Sequence, residues 1–446
     1  MRGAYRNRIG NEGYRERRGR GNHVLKDMER PRNGGRQEWN LAKRGLGLAL
    51  AVLGGVACGS SEDATVVGGD EVQASLVPSP QPESEPVPPA APLGPLGPPN
   101  TIYAREHLVE VNVEIAPDDW QVLLGEGIGM GEILFPANGF RTVPAYTHFS
   151  AAVTVDGVRY ENVDIRKKGY IGSISAIRPS LKLDFETRLG EPLVGGNRRM
   201  TLNNDMQDPS HVRQCLSYDL FQEVGLPASR CNYAHVVVNG VDLGTYSHIE
   251  PVNKPLLRRF FDDVDGNMYE GQLSDFNLAT EDHLELQTNE ADNDRSDVRA
   301  VIDALALGDE QVVPALDALV NLDQFFDFWA LETLLGHWDG YSGNSNNYFA
   351  YHDPVSGKFH FIPWGTDQTF VGDNPNDGLP YEISVYAAGT LSNRLYAIPE
   401  QRERFRQRLA ELNDQLWDVP TLLARMDVLQ RLAPGASREA LTRRRS

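Results

Sequence analysis

Polar side chains in the second half of the chain are of the types that handle phosphates and divalent cations. Asp339 and Asn344 lie five residues apart, and Asp367 follows after a segment that predicts a β-hairpin. A hairpin between two polar clusters folds the chain back, so we expect these three side chains to meet. One carboxylate would orient an attacking hydroxyl, while an amide and a second carboxylate would hold Mg²⁺ on the phosphates. The pattern therefore predicts phosphoryl transfer.

A helix and a hairpin are the elements that must position these residues. Strands are predicted over residues 348–351 and 359–363, on either side of a turn that contains Pro and Gly. Leu322–Leu335 predicts a helix, because its apolar side chains form a wide face. We expect this face to be buried and Glu332, which interrupts it, to lie at its edge or to find a partner.

Hairpins dominate the first half of the chain, and helices dominate the second. Alternating apolar residues predict a strand over 107–115, and Asn239-Gly240 is a strong hairpin turn. This is an α+β pattern, with an N-terminal sheet lobe, a helical C-terminal lobe and a site between them. Further elements are predicted as follows: a hairpin over 151–165, a strand over 180–185, helices over 211–224, 255–261, 299–307, 313–319, 391–396 and 399–417, and loop-rich segments over 260–272 and 281–297.

The charge of the chain excludes nucleic acid as an electrostatic partner. The 446 residues are 40% hydrophobic and 24% charged, an ordinary globular composition. Because the whole chain carries −19 and residues 1–45 carry +8, residues 46–446 carry −27. A body of this charge repels a polyanion. It favours basic partners or divalent cations.

The first 100 residues have the layout of an export signal and a tether. Residues 46–57 form an apolar run of 12 after two basic residues, too short to span a bilayer. The small residues before Cys58 predict lipoprotein cleavage, with plain secretion as the alternative. Residues 59–100 are rich in Pro, Ser, Glu and Gly and predict a disordered linker. We therefore expect a leader over 1–58, a folded domain over 101–446, and membrane contact only through a lipid anchor at Cys58.

Two cysteines, Cys215 and Cys231, remain after Cys58, and they lie 16 residues apart. In an oxidising compartment they can form a disulfide, and two buried thiols are the alternative. A Cα separation beyond about 7 Å would exclude the bridge.

Several motifs around the candidate site are similar to those of known kinases. The run H-W-D ending at Asp339, followed by Asn344, resembles the H-R-D-x-x-x-x-N catalytic loop of protein kinases. The run N-x-N-N-Y-x-x-Y and the end I-P-W-x-x-D-x-T-F, which contains Asp367, resemble the core of the CotH family. These are secreted, atypical protein kinases named for a spore-coat protein. The likeness extends over residues 109–416.

The resemblance implies an atypical protein-kinase-like fold, the cofactors ATP and Mg²⁺, and transfer of phosphate to Ser or Thr of a protein. By position, Asp339 would be the catalytic carboxylate and Asp367 a metal ligand. Asn344 would be a second metal ligand, with Asn346 and Asn347 as alternates.

Basic residues would bind the phosphates of the nucleotide. Lys182, on a strand after a Gly- and Ser-containing loop, is the first candidate, Lys168 competes with it, and Glu250 would be the ion-pair partner of Lys182. Three arginines either contact a phosphate or make a surface pair: Arg166, Arg178 and Arg213.

Two motifs depart from the family pattern. Where the family has Trp-Asp-x-Asp, this chain has Trp-Gly-Thr-Asp, so Gly365 stands in place of a carboxylate. Where the family has the loop Arg-Gly-Asn-Ser-Ser, this chain has Lys-Gly-Tyr-Ile-Gly at residues 168–172.

The expected function is a secreted or surface-tethered Ser/Thr kinase acting on a Ser-rich or basic protein. The alternatives are a catalytically weak or inactive surface or adhesion module of the same fold, and a metal-dependent hydrolase using Asp339 and Asp367.

Overall fold

Seven strands dominate the first half of the folded region. A computed structural model describes residues 102–127, 146–169, 172–185, 197–289, 294–370 and 385–433, so the expected leader, lipid-anchor site and linker lie outside the described residues. The strands are β1 (Leu108–Ile115), β2 (Phe149–Val155), β3 (Val158–Lys168), β4 (Ser180–Asp184), β5 (Arg199–Asn203), β6 (Cys231–Val238) and β7 (Val241–Ile249).

These strands close into a barrel in the order β1-β2-β3-β4-β5-β7-β6. β1 and β6 pair in parallel, while the other neighbours in the barrel are antiparallel. Side chains alternate along β3, so that Val163 and Ile165 are buried and Arg166 and Lys168 lie on the opposite face. The sequence predicts the sheet and its hairpins, but not the closure of the sheet into a barrel.

The hairpin turns form because their residues tolerate left-handed backbone. Asp156 and Gly157 have φ of 47° and 81°, and Asn239 and Gly240 have φ of 50° and 79°. Two successive residues with positive φ give the turn whose twist matches the flanking strands. The predicted turn at Asn239-Gly240 is therefore confirmed, and the hairpin predicted over 151–165 turns at Asp156-Gly157.

A second sheet and the helices complete the described residues. The strand order of this sheet is β11-β10-β8-β9, with β8 (Asn267–Gly271), β9 (Glu285–Leu286), β10 (Tyr348–Asp353) and β11 (Lys358–Pro363). The helices are α1 (Pro117–Gly125), α2 (Arg213–Glu223), α3 (Lys254–Leu257), α4 (Ser296–Leu305), α5 (Asp309–Leu319), α6 (Leu322–Leu335), α7 (Tyr341–Asn344), α8 (Thr390–Ala397), α9 (Pro399–Leu416) and α10 (Val419–Leu432).

The mixed α+β class is confirmed. The described residues belong to one compact unit, and the separation into two lobes stays a prediction. β8 lies in a segment expected to be a loop, because five residues after the Asp- and Gly-containing run 262–266 are too few to show a period. Within the described ranges, no helix is long and apolar enough to cross a membrane.

Helix α6 lies in the larger apolar core and leads directly into the candidate site. It begins after Asn321, whose side chain accepts the N–H of Gln324, and ends at Gly336, which has a φ of 66°. The predicted burial is confirmed, because each residue of its apolar face is at most 1% exposed: Leu322, Phe325, Phe328, Trp329, Leu331 and Leu335.

Cys215 and Cys231 form a disulfide, and their Cα atoms lie 5.0 Å apart. The bridge joins α2 to the first residue of β6. Both sulfur atoms lie inside the larger apolar core. Of the two alternatives that the sequence leaves open, the structure therefore has the disulfide.

Candidate active site

Glu332 fixes the polar loop that follows α6. Its side chain is completely buried, and its two carboxylate oxygens accept the N–H groups of Tyr341 at 3.0 Å and Ser342 at 2.9 Å. Nδ1 of His337 lies 3.5 Å from the same carboxylate. Glu332 therefore has the partners that the sequence predicts it to need. It ties the first turn of α7 to α6, and the segment between them carries Asp339.

Three asparagines converge on Asp339. Nδ2 of Asn344 and Nδ2 of Asn346 donate to its Oδ1 at 2.8 and 3.1 Å, and Nδ2 of Asn347 donates to its Oδ2 at 2.9 Å. Burial raises the pKa of Asp339, while the three amides and His337 oppose that rise. Both carboxylate oxygens are therefore fixed by the protein itself.

The amide oxygens distinguish the candidate metal ligands. An asparagine that donates through Nδ2 still has Oδ1 for a second partner. Oδ1 of Asn346 accepts the N–H of Leu273 at 3.3 Å, so this oxygen is already used. Oδ1 of Asn347 faces Gly365, where an added Cβ would lie 2.5 Å away. Asn344 and Asn347 therefore fit a metal better than Asn346, and the glycine at 365 makes room for Asn347.

Asp367 lies within the electrostatic influence of Asp339. Burial, with the neighbouring carboxylates Asp339 and Asp205, raises the pKa of Asp367 to about 7, against the opposing effects of its own backbone N–H and of Lys168. The two predicted carboxylates therefore interact electrostatically. Their repulsion in a partly buried place is relieved by a proton or by a bound cation.

Helix α2 supports the turn that carries Asp367. Nη1 of Arg213 donates to the backbone carbonyl of Asp367 at 3.4 Å, and its Nε lies 3.5 Å from the Asp208 carboxylate. The hydroxyls of Ser217 and Thr369 lie 2.8 Å apart. Arg213 therefore reaches the site, where it holds the backbone next to the metal-ligand candidate.

The charge of Asp367 affects the pKa of one lysine, Lys168. Its ammonium donates to Oδ1 of Asn203 and lies 5.6 Å from the centre of the Trp364 ring. Burial and the charge of Lys182 lower the pKa of Lys168 to about 7, whereas Asp367 acts in the opposite direction. A lysine in this position gains its full charge when an anion binds beside it.

The predicted ion pair between Lys182 and Glu250 is wrong. Glu250 is completely buried, its Oε1 lies 2.6 Å from Nη2 of Arg230, and its Oε2 pairs with Arg259. The backbone N–H of Arg230 donates to the same carboxylate at 3.1 Å. Two guanidinium groups satisfy Glu250 inside the protein, so no oxygen remains for a lysine on the other face of the barrel.

Lys182 instead interacts electrostatically with two carboxylates of the second sheet. Glu270 of β8 and Glu285 of β9 are opposite each other in register, and both oppose the lowering of the Lys182 pKa by burial. Arg166 is the register partner of Lys182 between β3 and β4. Arg166, Lys168 and Lys182 thus form a row of cations on the barrel surface. The sequence missed Glu270 and Glu285 because both lie in segments predicted as loops.

Arg178 has a structural position. Its guanidinium donates to the backbone carbonyls of Leu243 at 2.9 Å, Asn204 at 2.7 Å and Thr245, and it lies 4.6 Å from the Tyr246 ring. These contacts tie the segment between β3 and β4 to β7. Of the three candidate arginines, Arg166 and Arg213 lie near the site, and Arg178 supports the barrel.

A cavity of about 500 Å³ lies beside the first residue of β5, Arg199. Arg199, which lines it, also acts on the pKa of Lys182. The cavity lies where the chain leaves β7 for α3, and it is lined by cationic, amide and apolar side chains. They include Arg198, Arg199, Lys254, Arg258, Asn253, Gln287, Val252 and Met268.

The donor set fits a hard divalent cation assisted by a ligand. Among the described residues, no group of three or more His, Cys, Asp or Glu side chains could hold a metal ion. Mg²⁺ at a nucleotide site needs fewer protein ligands, because it binds one or two carboxylates together with substrate phosphates. Asp367 and the amide oxygens of Asn344 and Asn347 are donors of this kind.

The carboxylates, amides and lysine are side chains of the types that phosphoryl transfer uses, and they lie on an α+β fold. Residues 165–433 match the family model described as CotH kinase protein. Because the match covers more than half of the chain, this protein belongs to the CotH kinase family, whose kinase-like character implies the use of ATP.

Curated relatives agree with this assignment. The chain is 24% identical to inner spore coat protein H of Bacillus subtilis over 287 residues, 61% of this chain and 77% of that protein. It is 23% identical to invasin CotH2 of Rhizopus delemar over 265 residues, 54% of this chain and 45% of the invasin. Invasin CotH3 of the same fungus is 22% identical, with 53% and 44% covered. The chain thus spans less than half of these invasins.

One solved structure resembles the chain weakly. It is the crystal structure of a proinflammatory kinase of Helicobacter pylori, CtkA, at 9% identity, with 59% of this chain and 93% of that chain covered. The TM-score is 0.24, a value at which the likeness supports no conclusion.

Proposed function

We propose that this chain is an exported, Mg²⁺-dependent protein kinase that transfers the γ-phosphate of ATP to Ser or Thr. The observation that carries the proposal is the contrast within one site. Asp339 is fixed by three amides, and Asp367 beside it has a pKa near 7 that its neighbouring carboxylates help to raise. Phosphoryl transfer needs this combination, because the protein supplies positioning and charge stabilisation rather than covalent chemistry.

Asp339 is the residue that receives the acceptor hydroxyl. The amides fix the direction of its carboxylate, so the hydroxyl oxygen can be aimed at the γ-phosphate without reorganising the site. Burial, which raises the pKa of Asp339, makes it a stronger base for the hydroxyl proton. The three asparagines limit that rise, so Asp339 can still be ionised when the acceptor arrives.

Asp367, Asn344 and Asn347 would hold Mg²⁺, which when bound neutralises charge on the phosphates. Asn344 and Asn347 would bind it through Oδ1 while their Nδ2 atoms hold Asp339. Metal binding and the orientation of the catalytic carboxylate are thereby linked through the same two side chains.

Lys168 and Lys182 would bind phosphate oxygens. Lys168 would serve the γ-phosphate end, because the charge of Asp367 acts on it, and Lys182 would serve the end nearer Arg199, whose charge acts on it. We assign this cavity to the base and ribose, since its 500 Å³ is within the range of small-molecule sites. The barrel and the helical half would then act as two lobes around the nucleotide.

Export and a protein substrate belong to the same proposal. The disulfide between Cys215 and Cys231 is typical of oxidising compartments. A leader over 1–58, with a lipid anchor at Cys58, and a linker over 59–100 would place the kinase outside the cell. The charge of −27 over residues 46–446 would attract a basic, Ser-rich acceptor.

A thermal-shift titration tests the proposal. With millimolar ATP and Mg²⁺ the melting temperature should rise, because ligand at 100 times its Kd stabilises a protein by about 2.7 kcal/mol. The rise should vanish with EDTA and in Asp367→Asn, and should persist in Asp323→Asn, a matched change at a side chain that is 94% exposed on α6. If wild-type protein shows no rise, the non-catalytic surface module becomes the better description.

A further inference from the structure

The ring of His337 lies between two oxygen acceptors from different parts of the chain. Nδ1 is 3.5 Å from Oε1 of Glu332 on α6, and Nε2 is 3.3 Å from the carbonyl oxygen of Gly365, after β11. The ring and the Glu332 carboxylate are both completely buried. Gly340 is required for this packing, because an added Cβ would collide with both Glu332 and His337.

The two ring nitrogens make unequal contacts: Nε2 lies within hydrogen-bond distance of the Gly365 carbonyl, whereas Nδ1, at 3.5 Å from the Glu332 carboxylate, makes no hydrogen bond. A neutral ring that donates from Nε2 would turn the lone pair of Nδ1 towards the carboxylate, whereas the cation presents an N–H to it. The charged or polar groups that face the ring are Glu332, Asp339 and the Gly365 carbonyl. Burial alone lowers the pKa of His337, but the nearby carboxylates of Glu332 and Asp339, with the Gly365 carbonyl, outweigh it and raise the pKa above its usual value.

The contact with Gly365 joins the two segments that carry the site carboxylates. His337 lies two residues before Asp339, and Gly365 lies two residues before Asp367. Neighbouring contacts bind the same two segments: Nε1 of Trp338 donates to Gln368 at 3.1 Å, and the N–H of Phe370 donates to the Leu335 carbonyl at 2.8 Å. Among these links, His337 is the one that also lies against the carboxylate that caps α7.

We propose that His337 is a positioning residue: as a buried cation between Glu332 and Gly365, it fixes the distance between the Asp339 loop and the Asp367 turn. The role rests on the proposed phosphoryl transfer. His337 touches neither substrate nor metal in this role. The position of the two carboxylates relative to each other sets the geometry of the acceptor hydroxyl against the phosphate, and a shift of about 1 Å in such a geometry costs about 10²-fold in rate.

Kinetics of His337→Gln provide the first test. Glutamine keeps the volume but cannot place charged N–H donors on both oxygens at once. We expect kcat to fall about 10²-fold, with little change in the KM for ATP or in the melting temperature. His352→Gln is the matched control, because its ring also bonds a carbonyl, Gly357 at 3.2 Å, and lies 3.8 Å from the Asp297 carboxylate, but at the far, exposed end of the hairpin. Equal kcat values in the two variants would overturn the proposal.

Nitrogen-15 NMR of the histidine rings provides a test that is independent of activity. The chain has ten histidines, and the signals of His337 are those lost in His337→Gln or, if that variant does not fold, those displaced in Glu332→Gln. We expect both ring nitrogens of His337 to stay protonated at pH 8 in the full chain. A neutral ring at pH 7 would overturn the proposal, whatever the kinetics. If the wild-type protein transfers no phosphate, the proposed function fails, while the ring signals still decide the state of His337.

Discussion

Asp339 and Asp367 interact electrostatically, but the protein holds the two carboxylates in different ways. Both oxygens of Asp339 accept hydrogen bonds from asparagine amides that follow it within eight residues. For Asp367, α2 fixes the backbone carbonyl, while burial and nearby carboxylates raise its pKa to about 7. In the proposed mechanism, the acceptor side would therefore be formed in advance, whereas the metal side would be completed by its ligand.

The largest effect should come from the preformed carboxylate. Asp339→Asn removes the proton acceptor, so phosphate transfer should fall about 10³-fold, within the range for general-base groups. The stabilisation by ATP and Mg²⁺ should fall only in part, because Asp339 is not itself a ligand of the ion, although Asn344 and Asn347 lose a carboxylate acceptor. Initial rates and thermal shifts on the same preparation separate the two. Asp339→Asn with a rate close to that of Asp323→Asn would contradict the role of Asp339.

Asp367→Asn should show the opposite pattern. The Mg²⁺-dependent part of nucleotide binding should be lost, so most of the stabilisation of about 2.7 kcal/mol expected at 100 times the Kd disappears. Without ligand, the variant should be at least as stable as wild type above pH 7, since a carboxylate that is costly to ionise has been removed. Calorimetric titration of the nucleotide with and without Mg²⁺ measures the first effect. Unchanged Mg²⁺ dependence would mean that the ligands lie elsewhere.

The pKa of Asp367 predicts a pH dependence with a defined sign. Below pH 7 the carboxylate is protonated and must lose its proton to bind a cation, so apparent Mg²⁺ affinity should rise about tenfold per pH unit up to pH 7 and then level off. Because the folded-state pKa lies above the unfolded value, the contribution of Asp367 to stability without metal should decline as pH rises from about 4 to 7. Isothermal titration from pH 5.5 to 8.5 measures the affinity, and Asp367→Asn should flatten the profile.

Loss of the disulfide should have the smallest effect on the difference between Asp339 and Asp367, because the bridge acts on the site only through α2. Replacing Cys215 and Cys231 by Ser should lower the free energy of unfolding by about 3 kcal/mol, the chain-entropy value for a loop of about 15 residues. Denaturant unfolding measures this loss. The metal side should weaken with it, because α2 carries the Arg213 contact to Asp367, while the hydrogen bonds of Asp339 should not change. An unchanged unfolding midpoint would show that core packing alone places α2.

Local sequence patterns predict the surroundings of Asp339 better than they predict the partners of Lys182. The face of α6, the hairpin strands and the association of Asp339 with Asn344 follow from residues close in sequence, where periodicity and chain reversal leave few alternatives. The partners of Lys182 depend on which strands meet across the barrel and the second sheet. Position along the chain alone therefore favours Glu250 as the ion-pair partner of Lys182. Glu270 and Glu285 lie in strands of five and two residues, which are too short to recognise in the sequence.

Transfer of labelled γ-phosphate tests the central proposal most directly. Full-length protein with γ-labelled ATP, Mg²⁺ and a basic, Ser-rich peptide should place label on Ser or Thr. Asp323→Asn should do the same, while Asp339→Asn and Asp367→Asn should not. Label that appears in both site variants, or that appears only as inorganic phosphate, would contradict a kinase that uses these two carboxylates.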